Sequence, residues 1–98
     1  MHTQTLPALL PTYAPFPFVM TKASGERVFD AQGQAYLDFY GGHCVTATGH
    51  GHPRVVAAIL QQAEELLFYS TAGRVPVREA AAEALVAFAG AGMASVFF

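Results

Sequence analysis

Tyr36-Leu-Asp-Phe-Tyr-Gly-Gly-His-Cys-Val-Thr-Ala-Thr-Gly-His-Gly-His-Pro53 carries a strand, a loop and a helix start in one short run. Tyr36, Asp38 and Tyr40 alternate with Leu37 and Phe39, the period-2 pattern of a half-buried strand. Residues 41–52 hold four glycines, which permit backbone angles that other residues resist. Pro53 suits the first position of a helix, where its missing N–H is no loss.

Outward from that stretch the remaining elements fall into place. Residues 18–21 (Phe-Val-Met-Thr), 27–30 (Arg-Val-Phe-Asp) and 35–39 (Ala-Tyr-Leu-Asp-Phe) read as three short strands. Ser24-Gly25 and Gln32-Gly33 supply the turns between them, which predicts a small antiparallel meander. Residues 1–17, punctuated by prolines, read as an extended arm with at most one helical turn. Downstream of Pro53, Val55, Ile59, Ala63, Leu66 and Leu67 share one helical face, with Gln61, Gln62, Glu64 and Glu65 off it. A second loop, residues 69–74, leads to a helix from about Pro76. Its stripe is Ala81, Leu85, Phe88 and Ala89, and Gly90 and Gly92 end it. Residues 93–98, closing on Ser95-Val-Phe-Phe, read as a buried strand cut short. The predicted architecture is α/β, an α+β fragment in which a meander precedes two helices and the start of a core strand. Its organisation is an arm over residues 1–17 and one segment over 18–98.

Composition bounds the function. The chain has 98 residues, of which 12% are charged and 53% hydrophobic, whereas soluble domains average about 25% charged. So little charge leaves apolar surface that the chain cannot cover itself, and the expectation is further polypeptide, a partner subunit, or both. A net charge of −2 gives no electrostatic case for nucleic acid. The longest weakly polar run, residues 85–98, is broken by Gly90, Gly92 and Ser95 and falls short of the roughly 20 apolar residues of a membrane span. A cytoplasmic location is the expectation. The lone cysteine, Cys44, excludes an internal disulfide framework and fits a reducing compartment.

Arg27-Val-Phe-Asp-Ala-Gln-Gly-Gln-Ala-Tyr-Leu-Asp-Phe followed by Gly49-His-Gly-His-Pro-Arg-Val-Val resembles the N-terminal region of class III aminotransferases. These are fold type I enzymes dependent on pyridoxal 5'-phosphate, with a "D-x-x-G-x-x-Y-L-D" strand before a "G-H-x-H-P" helix start. The upstream Tyr13-Ala-Pro-Phe-Pro-Phe-Val is similar to a segment of ornithine and acetylornithine aminotransferases. Tyr40-Gly-Gly-His43 and Tyr69-Ser-Thr sit with the acetylornithine or succinylornithine branch. The resemblance covers residues 12–98. It implies amino transfer between an acylated diamino acid and 2-oxoglutarate, and a homodimer whose active sites lie at the subunit boundary.

The resemblance also implies a division of labour. The family's phosphate-binding turn follows the strand ending "V-F-F", and the aspartate and Schiff-base lysine come later still, so no catalytic residue is expected in this chain. The single lysine, Lys22, belongs to a solvated hairpin and not to a desolvated pocket that would make it nucleophilic. The chain by itself is expected not to transaminate. Two residues are implied to line the substrate cavity: Tyr13, whose phenol can hydrogen-bond a carboxylate without bringing charge, and His43. Isoleucine or tyrosine is commoner in the family at the second position, which leaves the amino donor open. Packing of the arm is the competing role for Tyr13, and backbone hydrogen bonding for His43. Ser70 and Thr71 are implied to reach the partner subunit's site, against an ordinary role in a turn or helix cap.

No metal site is expected. His43, His50 and His52 invite one, but His43 and Cys44, as neighbours in an extended stretch, would point to opposite sides. The simpler reading puts His52 at the helix start, His50 hydrogen-bonded in the loop, and Cys44 as a small buried thiol. Two alternatives stand beside the aminotransferase reading. One is an aminomutase, decarboxylase or racemase on the same scaffold; the other is a free-standing, non-catalytic protein that binds a partner through its apolar surface.

Overall fold

The computed structural model describes residues 8–98, so the part of the expected arm in residues 1–7 lies outside the described residues. The chain divides into two units, Met1–Ala57 and Ala58–Phe98.

The first unit is built on a three-stranded antiparallel sheet in the order β1 (Met20–Ser24), β2 (Arg27–Asp30), β3 (Ala35–Leu37). The meander expected from the sequence is therefore present, with β1 displaced toward its turn. Pairing of Ser24 with Arg27 leaves Gly25-Glu26 as the hairpin loop. That tight loop pulls Lys22, Ala23 and Ser24 into the ladder and leaves Phe18 and Val19 outside it. Thr21 is the extra residue of a bulge between Met20 and Lys22, and its hydroxyl donates to the Asp30 carbonyl at 3.1 Å. Strand β3 ends at Leu37, earlier than the alternation predicts, because Asp38 turns from ladder pairing to capping the next turn. Phe16, Phe18 and Tyr36 stack across the sheet, with Phe18 and Tyr36 ring centroids 4.7 Å apart and nearly parallel.

Residues 41–52 are not an unstructured loop. Gly41, Gly42, His43 and Cys44 have φ of +61°, +57°, +65° and +62°, and the Cys44 and Val45 N–H groups donate to the Tyr40 and Gly41 carbonyls at 3.0 and 2.9 Å. This short α1 (Gly41–Cys44) is one helical turn of left-handed sense. Glycine adopts that conformation freely, whereas an L-residue with a side chain loses roughly 1–2 kcal/mol in it. His43 and Cys44 therefore bear strain. They do not lie in an extended stretch, and Cys44 is exposed where a buried thiol was expected, because no element covers the rim of the turn. The segment then returns to the hairpin. Gly25 and His50 exchange two backbone hydrogen bonds at 2.9 Å. A Cβ on Gly49 would stand 3.3 Å from the Gly25 carbonyl oxygen, so glycine lets the two backbones meet.

Helix α2 (Pro53–Glu65) starts at the proline, as the sequence predicts. In the second unit, α3 (Pro76–Ala89) starts with Pro76 in its first turn and stops at Gly90, φ +61°. Its half-buried positions are Arg78, Glu79, Ala82 and Val86, not the predicted stripe of Ala81, Leu85, Phe88 and Ala89. Residues 94–96 line one groove with Ala82 and Val86, and nothing else in the unit is placed to cover the other face. The strand expected over residues 93–98 is not formed: the segment carries no ladder pairing. A strand exists only through its hydrogen-bonded neighbour, and the described residues supply none there.

Burial is sparse. Among the described residues only Val28, Val75 and Asp30 are buried, while Phe39, Phe88 and Phe97 are at least 91% exposed.

Candidate functional site

Asp38, directly after β3, organises the left-handed turn. Its Oδ1 accepts the N–H of Tyr40 at 3.0 Å and of Gly41 at 2.8 Å. Its Oδ2 lies 2.6 Å from Nε2 of His50, and both side chains are largely shielded, at 11% and 18% exposure. A carboxylate has no proton to give, so Nε2 of His50 carries the hydrogen. The Gly41 N–H, then His50, outweigh the effect of burial and hold the Asp38 carboxyl below the usual carboxylate range. Both members are tied to the hairpin: the Asp38 N–H donates to the Glu26 carbonyl at 2.8 Å, and His50 is the residue bridged to Gly25.

His43 projects from this turn, and the structure brings it together with Tyr13. Their ring centroids are 5.8 Å apart in an edge arrangement. Tyr40, which sequence reasoning did not single out, lies 5.0 Å from His43 and meets Phe16 edge-on at 5.8 Å. Tyr40 and His43 line a groove of about 550 Å³ whose apolar wall is formed by Phe16, Phe18, Met20 and Tyr36, and Tyr13 stands against the His43 ring. The arrangement offers an apolar trough with phenol and imidazole groups at its rim, suited to an acyl-bearing chain with polar ends. Only the period-2 alternation that put Tyr40 on the same strand face as Tyr36 and Asp38 could have pointed to it.

A second polar knot lies at the far end of the sheet. Burial pushes the Asp30 carboxyl up, but the Gln34 N–H, the Tyr36 hydroxyl and the Gln32 and Gly33 N–H groups outweigh it, so the group titrates below its usual range. The Tyr36 hydroxyl donates to Oδ2 at 3.1 Å, and that bond raises its own pKa. This knot closes the β2–β3 turn.

Ser70 and Thr71 are exposed in the second unit and stand apart from the Tyr13–His43 cluster in the chain. The Ser70 hydroxyl accepts the Ala72 N–H at 3.3 Å, the turn-forming role. Arg78 grips the same loop, donating to the Tyr69 and Gly73 carbonyls at 3.0 and 2.8 Å. The other histidines among the described residues are engaged: His50 with Asp38, and His52 through Nδ1, which accepts the Arg54 N–H at 3.2 Å. Among the described residues no three His, Cys, Asp or Glu side chains are grouped to hold a metal ion. No helix among them is long and apolar enough to cross a membrane.

A small antiparallel sheet followed by a turn and two helices is the N-terminal architecture of fold type I pyridoxal-phosphate enzymes, and solved structures of that class share it. The ornithine aminotransferase of Toxoplasma gondii superposes with a TM-score of 0.77 at 37% identity, over 83% of this chain and 19% of that one. The family model for class III aminotransferases matches residues 9–98. This chain belongs to the class III aminotransferases. Among curated relatives, it is 48% identical over 58 residues to the succinylornithine transaminase of Yersinia pseudotuberculosis. It is 53% identical over 58 residues to the acetylornithine/succinyldiaminopimelate aminotransferase of Yersinia pestis. Each match covers 59% of this chain and 14% of the relative's length.

Class III aminotransferases depend on pyridoxal phosphate, and the Toxoplasma structure is described as showing partial occupancy of it at the active site. The described residues do not make a seat for that cofactor. Lys22, the one lysine, lies on the exposed strand β1, where nothing desolvates its amine. The N–H of Arg54, at the start of α2, is taken by His52, and the first turn of α3 carries the anionic Glu79. No chemical step is therefore assigned to this chain through the cofactor.

Proposed function

We propose that this chain is the substrate-facing N-terminal part of a cytoplasmic, homodimeric aminotransferase of the acetylornithine or succinylornithine type. In this reading the intact enzyme moves an amino group from an acylated diamino acid to 2-oxoglutarate. The carrying observation is that His43 and Tyr40 line an apolar groove while the Tyr13 and Tyr40 rings both pack against His43. The aliphatic and acyl portion of the donor lies along Phe16, Phe18 and Met20. Tyr13 hydrogen-bonds a carboxylate oxygen, and His43 hydrogen-bonds the acyl oxygen, where isoleucine would offer contact alone. Residues 1–17 form the arm that delivers Tyr13, residues 18–98 form the body, and Ser70 and Thr71 face the partner subunit's cavity. The chain by itself binds and orients; the covalent chemistry belongs to polypeptide outside it.

Substitutions in the full-length protein test this. Tyr13→Phe should raise KM for N-acetylornithine by about tenfold, the worth of one good hydrogen bond to a charged group, and change KM for 2-oxoglutarate much less. His43→Ile should lower discrimination between acylated and free ornithine. Equal effects of Tyr13→Phe on both substrates, with no change from His43→Ile, would reduce these residues to packing.

A further inference from the structure

We infer that Asp38 is a positioning residue for His43: its carboxylate, braced by His50, holds the left-handed turn that presents the imidazole to Tyr13 and the groove. The inference rests on the reading of His43 as substrate-facing, and goes beyond it by naming what fixes that residue. Three observations carry it. The turn places His43 and Cys44 at positive φ, a conformation that side-chain-bearing residues leave unless something holds them. The two N–H groups that open the turn, those of Tyr40 and Gly41, both end on Oδ1 of Asp38. The opposite oxygen is spent on His50 at 2.6 Å, and the backbones of Asp38 and His50 are pinned to the Glu26 and Gly25 hairpin loop. A short rigid path therefore runs from the sheet, through one carboxylate, to the ring at the groove. Asparagine keeps an acceptor for the turn but turns an amide N–H toward the hydrogen on His50. Alanine removes both bonds.

The test is a set of substitutions in the full-length protein with two readouts, KM for N-acetylornithine and the nuclear Overhauser contact between the Tyr13 and His43 rings. Asp38→Ala should abolish the contact and raise KM on the order of tenfold or more, the scale of a misplaced binding group. His50→Gln, whose amide can still donate to Asp38, should stay within about twofold of the parent, and Asp38→Asn should fall between. On a His43→Ala background Asp38→Ala should add little, because the two act through one geometry. A retained ring contact in Asp38→Ala, or an undiminished effect of Asp38→Ala in the absence of His43, would overturn the inference. If Asp38→Ala fails to fold, the same comparison with Asp38→Asn decides it. Loss of the ring contact with KM unchanged in both His43→Ala and Asp38→Ala would uphold the positioning and refute the substrate-facing reading instead.

Discussion

Two aspartates set the local structure of the first unit, and both do so as anions. Asp30 collects donors from Gln34, Tyr36 and Gln32, and Asp38 from Tyr40, Gly41 and His50. Each native carboxyl is held below the ordinary aspartate value of about 3.9. Their contribution to stability is therefore complete above that value and is lost as pH falls through the depressed native values. An acid titration followed by NMR should show the Gln32, Gln34 and Gly41 amides shifting with midpoints below 3.9. Tyr36→Phe removes one donor and should raise the Asp30 midpoint while leaving Asp38 alone; an unmoved Asp30 midpoint would contradict the assignment. Gly42 offers a separate test of the turn's handedness. No atom lies within 4 Å of a Cβ placed there, so Gly42→Ala acts through φ alone. Protection of the Val45 amide against hydrogen exchange should fall by about 1 kcal/mol, and unchanged protection would exclude a left-handed turn.

At the level of elements, sequence pattern found the meander and both long helices, and missed the turn that joins them and the lack of a strand over residues 93–98. Pro53, Pro76 and Gly90 mark helix boundaries by backbone chemistry alone, and the structure puts the boundaries there. The turn at Gly41–Cys44 was not legible because its hand is set by Asp38 and His50, which are distant in sequence from one another. The loop over residues 69–73 is held by Arg78, whose planar fork reaches carbonyls on both sides. A lysine supplies one point charge on a flexible stem and cannot span them. Arg78→Lys should thus open this loop to limited proteolysis nearly as much as Arg78→Ala, and full protection by lysine would show that charge alone suffices. Along α3 the predicted apolar stripe of Ala81, Leu85, Phe88 and Ala89 is exposed. The half-buried face is the one against residues 94–96, since a helix buries whichever face finds a neighbour.

For the molecule as a whole, the exposed apolar surface is the dominant fact. Leu67, Phe68 and Phe88 are at least 80% exposed, and exposed apolar patches mark surfaces that associate. Made alone, the chain should associate or aggregate, as read by sedimentation velocity across a concentration series. A monodisperse monomer with a cooperative thermal melt would show that it packs its own core. The solitary lysine, Lys22, lies on the exposed strand β1.

Sequence by itself determined the family, the meander and both long helices, because proline, glycine and hydrophobic spacing act locally and are written in order along the chain. Tertiary structure alone decided that the Tyr13 and Tyr40 rings meet at His43, and that an Asp38–His50 pair holds the left-handed turn that carries it. Those contacts join residues that the backbone must fold back to bring together, and their geometry depends on distances that no linear pattern encodes.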